Sequence, residues 1–188
     1  MTGALAATGH AVVRGLVHRQ LAQTLYNMLL LREFRGEGRR DEQVPTAFSF
    51  WGDSTLDGLL LTLRPEIERV AGCSLLPTYC YARVYRHGDS LARHRDRPAA
   101  EIAATIHLGS SGGEPPPIRF APDFAVRQEP GDGVVYLGSE VEHWREAFAG
   151  QRFGQVFVNY VRAEGEHRHH AYDGRHDQFP APAELSRA

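Results

Sequence analysis

The spacing of hydrophobic residues divides the chain into a helical first part and a strand-rich second part. From Val13 to Phe34, apolar positions recur at the three- and four-residue spacing of an amphipathic helix. Asp53 or Ser54 is suited to cap a second helix, and Gly72 is suited to end the helical part. Pro65 fits the first turn of a further short helix better than the interior of a long one, so we predict a break there.

After Leu75 the pattern changes to short runs of β-branched and aromatic residues separated by Gly, Pro and Asp turns. The predicted strands are Pro77–Arg86, Ser90–His94, Glu101–Gly109, Ile118–Ala121, Phe124–Gln128, Val134–Gly138 and Arg152–Arg162. Helices followed by strands indicate an α+β fold, with helices packed on one sheet of a β-sandwich or barrel. We expect a single domain over residues 1–188, with helical support in 1–73, the core in 75–163 and a weakly structured tail in 164–188.

Two of these strands have one apolar and one polar face, because side chains alternate along a strand. The apolar faces, which carry Cys80 and Ile106 among others, suit packing against the helices. The opposite faces are predicted to line a cavity. They carry Tyr79, Tyr81, Arg83, Tyr85, Glu101, Ala103, Thr105 and His107.

Composition and charge exclude several classes of protein. A formal net charge of -2 rules out a strong electrostatic grip on nucleic acid. No apolar stretch approaches the roughly 18 residues of a membrane span, and the N-terminus lacks the pattern of a signal peptide. Cys73 and Cys80 have no metal-binding spacing. We therefore expect a cytoplasmic protein with free thiols, and no feature indicates an oligomeric state.

Two His-x-Asp sequences, beginning at His87 and at His94, are candidates for metal binding. The first lies in a glycine turn, where its residues have a sufficient structural explanation. In the second, His94 and Asp96 share one face at a strand end. His143 on a neighbouring strand would complete a 2-His-1-carboxylate site of the kind that holds iron(II) with open coordination positions. Taken alone, the pair could equally be a surface pair.

The order of these residues resembles the 2-oxoglutarate/iron(II)-dependent dioxygenase superfamily, and most closely its prolyl-hydroxylase-like branch. His-x-Asp is followed after about fifty residues by His143 and, nine positions later, by Arg152. The segments PTYCYARVY, DRPAAEI and HWREAF are also similar to small bacterial members of unassigned substrate. The likeness covers residues 75–163 and implies a double-stranded β-helix (jelly-roll, cupin-like) core that uses Fe(II), 2-oxoglutarate and O2.

The resemblance also implies roles for the cavity residues. His94, Asp96 and His143 would bind the metal. Arg152 is the expected anchor of the 2-oxoglutarate carboxylate, because a guanidinium binds a carboxylate bidentately, and Arg145 is the alternative anchor. The further predictions are Tyr85 as a second donor to that carboxylate, His107 as a third donor or a core histidine, and Arg83, Tyr81 and Arg145 as substrate-binding residues.

Three functions are consistent with these residues. The first is hydroxylation of an unactivated C–H bond in a small molecule, such as an amino acid or a natural-product intermediate. The second is hydroxylation of a peptide or protein, as the prolyl-hydroxylase-like pattern allows. The third is a non-oxidative, cupin-like metal-binding protein, against which Arg152 and Tyr85 both argue, because a bare metal site needs no buried cation.

Overall fold

Ten strands and three helices form the body of the protein in the computed structural model, which describes residues 4–180. The helices are α1 (Ala4–Thr8), α2 (Arg19–Phe34) and α3 (Ser54–Ala71). The strands are β1 (His10–Val13), β2 (Phe48–Trp51), β3 (Leu75–Arg86), β4 (Leu91–His94), β5 (Ile102–Ser111), β6 (Ile118–Phe120), β7 (Phe124–Val126), β8 (Gly133–Tyr136), β9 (His143–Arg145) and β10 (Arg152–Arg162).

These strands form two antiparallel sheets. The larger has the order β1-β8-β5-β10-β3-β2 and the smaller has the order β4-β9-β6-β7. Strands that follow one another in the chain are distributed between the two sheets, which is the arrangement of a jelly roll. The predicted α+β class with a double-stranded β-helix core is confirmed.

The helices cover the outer face of the larger sheet. The apolar faces of its central strands pack there, and Cys80, Ala82, Val84, Ile102, Ala104, Ile106, Val156 and Val158 belong to this core. The division of β3 and β5 into two faces is therefore confirmed. The other face of the larger sheet is turned toward the smaller sheet, and the candidate site lies between them.

α3 begins as predicted and ends as predicted. The Asp53 carboxylate accepts hydrogen bonds from the backbone N–H groups of Thr55 and Leu56. At the other end, Gly72 has φ 69° and closes the helix in the left-handed conformation. The predicted break at Pro65 is wrong, because the helix continues through it. Buried apolar residues on both sides hold the helix to the sheet, while Pro65 itself is exposed, where water can satisfy the freed carbonyl.

Several short elements were not predicted. Residues 10–13 form β1, so α2 begins later than expected, and β2 and β9 are too short to show a clear alternation. The tail is also better ordered than predicted: Glu166–Gly174 and His176–Gln178 form 3₁₀ turns, with Asp173 paired to Arg97 and Arg175 paired to Asp57. Residues 181–188 of the predicted tail lie outside the described residues. Among residues 4–180, no helix is long and apolar enough to cross a membrane.

Candidate active site

Three side chains from two parts of the chain meet at the open end of the barrel. His94 ends β4 and is the register partner of His143, which begins β9. The Asp96 Oδ1 atom lies 3.4 Å from His94 Nε2 and 3.7 Å from His143 Nε2. All three potential ligand atoms lie within 4.8 Å of one another. Two imidazoles and one carboxylate on one side of a point can hold a divalent metal and leave its other positions open.

Backbone carbonyls orient both imidazole rings. His94 Nδ1 lies 2.9 Å from the carbonyl of Ala92, and His143 Nδ1 lies 3.1 Å from the carbonyl of Val141. A proton on each Nδ1 can donate to these carbonyls and leaves both Nε2 atoms free to bind a metal. Burial lowers the pKa of His143, which favours the neutral ring that ligation requires.

The end of β8 and the residues that follow it position the Asp96 carboxylate. The Asp96 backbone N–H donates to the Gly138 carbonyl at 2.8 Å. A Cβ added at Gly138 would lie 2.8 Å from Asp96 Oδ2 and 2.3 Å from the Ala100 carbonyl, so only glycine fits there. The hydroxyl of Tyr136 is hydrogen-bonded to Asp96, and its ring lies 4.7 Å from that of His143. Burial holds the Tyr136 pKa well above its ordinary value, so the phenol remains a donor.

Deeper in the barrel lies an arginine without a counter-ion. Arg145 shares the buried face of β9 with His143 and is only 3% exposed. Its two amino groups donate to the Pro116 carbonyl at 2.8 Å and to Gln128 Oε1 at 2.7 Å, and its Nε has no partner. No carboxylate among residues 4–180 pairs with it. Burial lowers the Arg145 pKa to about 10, so the guanidinium is still charged at neutral pH.

Two further buried polar groups lie beside this arginine. His107 on β5 and Gln155 on β10 are register partners, and both are almost completely buried. His107 Nδ1 and Gln155 Nε2 have no hydrogen-bond partner in the described part of the chain. Burial, aided by the charge of Arg145, lowers the His107 pKa to about 4, so the ring is neutral. The neutral His107 ring donates its one N–H to the Gly154 carbonyl, so its Nδ1 is an acceptor and not the predicted donor. Each buried polar group left unpaired costs about 1–3 kcal/mol, which indicates a site for a polar ligand.

Tyr85 closes the same region from the side of β3. Its ring stacks on Phe153 at 4.4 Å, and Phe153 also lies 5.9 Å from the Arg145 guanidinium and 6.4 Å from the His107 ring. The Tyr85 hydroxyl accepts a hydrogen bond from Arg83 at 3.2 Å. Its own proton is therefore available to a ligand bound beside it.

The prediction that Arg152 points into the cavity is wrong. Arg152 has the same strand phase as Val156, whose side chain packs toward the helices. Its side chain is 45% exposed and pairs with Glu33 of α2 at 3.0 Å. Phe153 takes the inward position at this end of β10 instead. Among residues 4–180, Arg145, the alternative anchor, is a buried arginine that no carboxylate pairs with.

A cleft of about 840 Å³ leads from the surface to His94 and Asp96. Two predicted substrate-binding residues, Tyr81 and Arg83, line it. The Arg83 guanidinium is already held by Asp41 at 2.7 Å, with Gln43, Ser49 and Tyr85 as further partners. In this conformation Arg83 fixes the wall of the cleft and has no free edge for a substrate carboxylate.

The other His-x-Asp sequence, His87-Gly88-Asp89, forms a turn and is not part of the site. Asp89 is buried and accepts hydrogen bonds from the Arg86 backbone and from Thr46, while His87 is exposed.

Sequence reasoning missed three residues of the site: Gln155, Tyr136 and Trp51. The parity of β10 could have revealed Gln155, since it alternates with the helix-facing valines. Nothing in the local pattern distinguishes Tyr136 or Trp51.

Several solved structures share this architecture at low sequence identity. A prolyl-4-hydroxylase of Pseudomonas putida matches with a TM-score of 0.66 and 22% identity, over 84% of this chain and 95% of that one. The 2-oxoglutarate-dependent carbocyclase SnoK of nogalamycin biosynthesis matches with 0.71 and 13%, over 85% and 81%. The epimerase SnoN, in complex with Fe3+, α-ketoglutarate and a nogalamycin, matches with 0.68 and 12%, over 85% and 81%.

The fold is that of the 2-oxoglutarate- and iron(II)-dependent oxygenases. The resemblance noted in the sequence is therefore confirmed for the fold. The sequence matches no family model and no curated protein. Within this oxygenase fold, the His94, Asp96 and His143 group lies at the mouth of the barrel and Arg145 lies behind it.

Proposed function

We propose that the protein is a 2-oxoglutarate- and iron(II)-dependent dioxygenase that hydroxylates an unactivated C–H bond of a small molecule. One observation carries the proposal. A group of two histidines and one aspartate stands in front of a buried arginine that has no carboxylate partner among the described residues. A metal site alone needs no buried cation behind it, so the arginine argues against a non-oxidative cupin-like protein.

The donor atoms fit iron(II). Imidazole nitrogens and a carboxylate oxygen on one face suit this metal, and the remaining positions can accept a bidentate keto acid and oxygen. When bound, iron(II) would activate O2 as the oxidant, with one oxygen atom going to the C–H bond and the other to 2-oxoglutarate, which leaves as succinate and carbon dioxide. The protein's part is to hold the metal, position both substrates and exclude water.

The buried polar groups fit the far carboxylate of 2-oxoglutarate. Arg145 provides the charge, and the unpaired amide donor of Gln155 and the hydroxyl of Tyr85 can share the oxygens. Phe153 and its aromatic neighbours surround the place and keep water away from the ion pair. A carboxylate here would relieve the desolvation penalty of Arg145, so co-substrate binding and stability should be coupled.

The cleft favours a small molecule as the prime substrate. Its volume of about 840 Å³ lies within the range of about 300–1,000 Å³ typical of small-molecule sites. SnoK and SnoN, which share the fold, belong to the biosynthesis of a natural product. The prolyl-4-hydroxylase with the same fold keeps a peptide substrate as the alternative to be tested.

Turnover of the co-substrate tests the proposal without knowledge of the prime substrate. The protein is incubated in air with 2-oxoglutarate and either iron(II) or zinc(II), and succinate is quantified. We expect slow succinate release with iron(II) that stops without oxygen, and none with zinc(II). Absence of iron-dependent succinate, under conditions where the protein binds iron, would contradict the proposed reaction.

A further inference from the structure

One wall of the cleft consists of three aromatic side chains, Trp51, Tyr79 and Tyr81, which we call the aromatic wall. The Trp51 ring stacks on Tyr79 at 4.5 Å and lies 5.9 Å from Tyr81, with interplanar angles of 20° and 24°. Tyr79 and Tyr81 are largely enclosed, whereas Trp51 is 47% exposed at the cleft mouth. A tryptophan packed on one side and open on the other presents a face for stacking.

Contacts from the C-terminal segment keep this wall rigid. The Arg97 guanidinium lies 4.2 Å over the Tyr79 ring and 5.6 Å over the Trp51 ring. Asp173 holds it with two hydrogen bonds of 2.9 Å. Tyr172 and Asp173 both have positive φ, at 57° and 52°, a conformation that disfavours non-glycine residues. The chain maintains this strained turn where it supplies the partner of Arg97, so the wall is pre-organised for a ligand.

Arginines outnumber carboxylates among the residues that line the cleft, and three of them have no counter-ion in the described part of the chain. Six arginines and four carboxylates line it, in a protein with a formal net charge of -2. Arg39, Arg40 and Arg95 form no ion pair with any residue in the described range 4–180. We call these three the unpaired arginines. A cleft of this kind concentrates anions and repels the ammonium group of a free amino acid.

An extended peptide fits the cleft less well. The sheet edge beside it is β2, and the backbone of Arg39 already exchanges two hydrogen bonds with Ser49 of that strand, at 2.9 and 2.7 Å. This pairing covers the part of the edge to which a peptide strand would add.

We propose that the prime substrate is a carboxylic acid carrying a planar ring, which stacks on Trp51 while its carboxylate binds the unpaired arginines. The assignment as substrate rests on the proposed function, but the binding preference does not. Two interactions should make the cleft selective among ligands. Stacking on Trp51 favours a flat ring, and the arginines favour a negative charge.

Three matched probes separate the two sources: 3-phenylpropanoate, 3-cyclohexylpropanoate and 3-phenylpropanamide. The chain has two tryptophans, and Trp144 lies outside the cleft under Arg93, so Trp144→Phe leaves Trp51 as the single tryptophan. Dissociation constants are measured from Trp51 emission and, independently, by calorimetry, without metal or oxygen. We expect the cyclohexyl acid to bind about threefold to tenfold more weakly than the phenyl acid. The amide should bind about tenfold more weakly.

Variants assign the effects to residues. Trp51→Ala should abolish the preference for the flat ring by calorimetry. Replacement of all three unpaired arginines by glutamine should abolish the preference for the acid. Arg93→Gln, a nearby exposed arginine paired with Glu142 outside the cleft, should change neither. Equal affinity for all three probes, or binding of none, would overturn the proposal. This outcome is distinct from failure of iron-dependent succinate release, which would overturn the proposed reaction and leave the binding preference intact.

Discussion

Replacement of Arg145 by methionine separates the role of this residue in binding from its role in folding. Methionine keeps an unbranched side chain of similar length and removes the buried charge. The pKa of Arg145 is lowered to about 10, and a depression of this size corresponds to roughly 3 kcal/mol by which burial disfavours the charged form. The two hydrogen bonds to Pro116 and Gln128 offset this penalty, at about 1.5–3 kcal/mol each for a charged donor.

These opposing contributions nearly cancel in the ligand-free protein. We therefore expect Arg145→Met to change the free energy of unfolding by less than about 2 kcal/mol, well below the 3–5 kcal/mol that usually follows loss of one partner of a buried ion pair. Binding of 2-oxoglutarate should instead weaken at least about thirtyfold, since loss of a buried charge partner costs about 2 kcal/mol or more.

Urea denaturation under nitrogen, with iron(II) and with or without 2-oxoglutarate, measures both quantities. Ligand at about a hundred times its dissociation constant should stabilise the wild-type protein by about 2.7 kcal/mol and the variant by much less. Arg152→Met is the matched control, because Arg152 pairs with Glu33 outside the barrel. Retained stabilisation in Arg145→Met, or its loss in Arg152→Met, would refute the assignment of the anchor.

Three further predictions concern groups around the metal site. The pKa of His107 is about 4 in the folded protein against an ordinary 6.5, so as pH falls the unfolded chain takes up a proton before the folded one does. Between pH 7 and pH 5, the free energy of unfolding from urea titrations should fall by about 2 kcal/mol more for the wild type than for His107→Gln. An equal fall in both proteins would contradict a buried neutral ring. Gly138→Ala places a Cβ 2.8 Å from Asp96 Oδ2, so calorimetry should show iron(II) affinity reduced about tenfold or more with an unchanged circular dichroism spectrum. Tyr136→Phe removes the hydroxyl that donates to Asp96. It should weaken cobalt(II) binding about tenfold and alter the visible spectrum of the bound cobalt. An unchanged spectrum would show that the phenol does not orient the Asp96 carboxylate.

The spacing of apolar and polar residues predicted the strand faces and the two ends of α3. Alternation along β3 and β5 correctly separated the helix-facing side from the interior, because each face is uniformly apolar or polar over many residues. The cap at Asp53 and the end at Gly72 were also predictable, since backbone hydrogen bonding and positive φ act within a single turn. The continuation of α3 through Pro65 was not, because the packing of its buried face outweighs the lost hydrogen bond.

The interior of the site was predictable only in part. The alternation of β10 already places Arg152 with Val156 on the helix side, but the order of residues in related oxygenases favoured it as the anchor. Arg145 is buried by Pro116 and Gln128, which are distant in sequence, so no local pattern marks it as the interior arginine. Trp51 joins the cleft through the pairing of β2 with β3, which is likewise a contact between distant segments.

The central claim is that His94, Asp96 and His143 together hold the iron that consumes 2-oxoglutarate. The most direct measurement quantifies bound iron(II) and released succinate together for the wild-type protein, Asp96→Ala and His87→Ala, the last being the exposed histidine of the other His-x-Asp sequence. We predict one iron per chain and succinate release for the wild type and His87→Ala, and neither for Asp96→Ala. Undiminished iron binding and succinate release by Asp96→Ala would contradict the account.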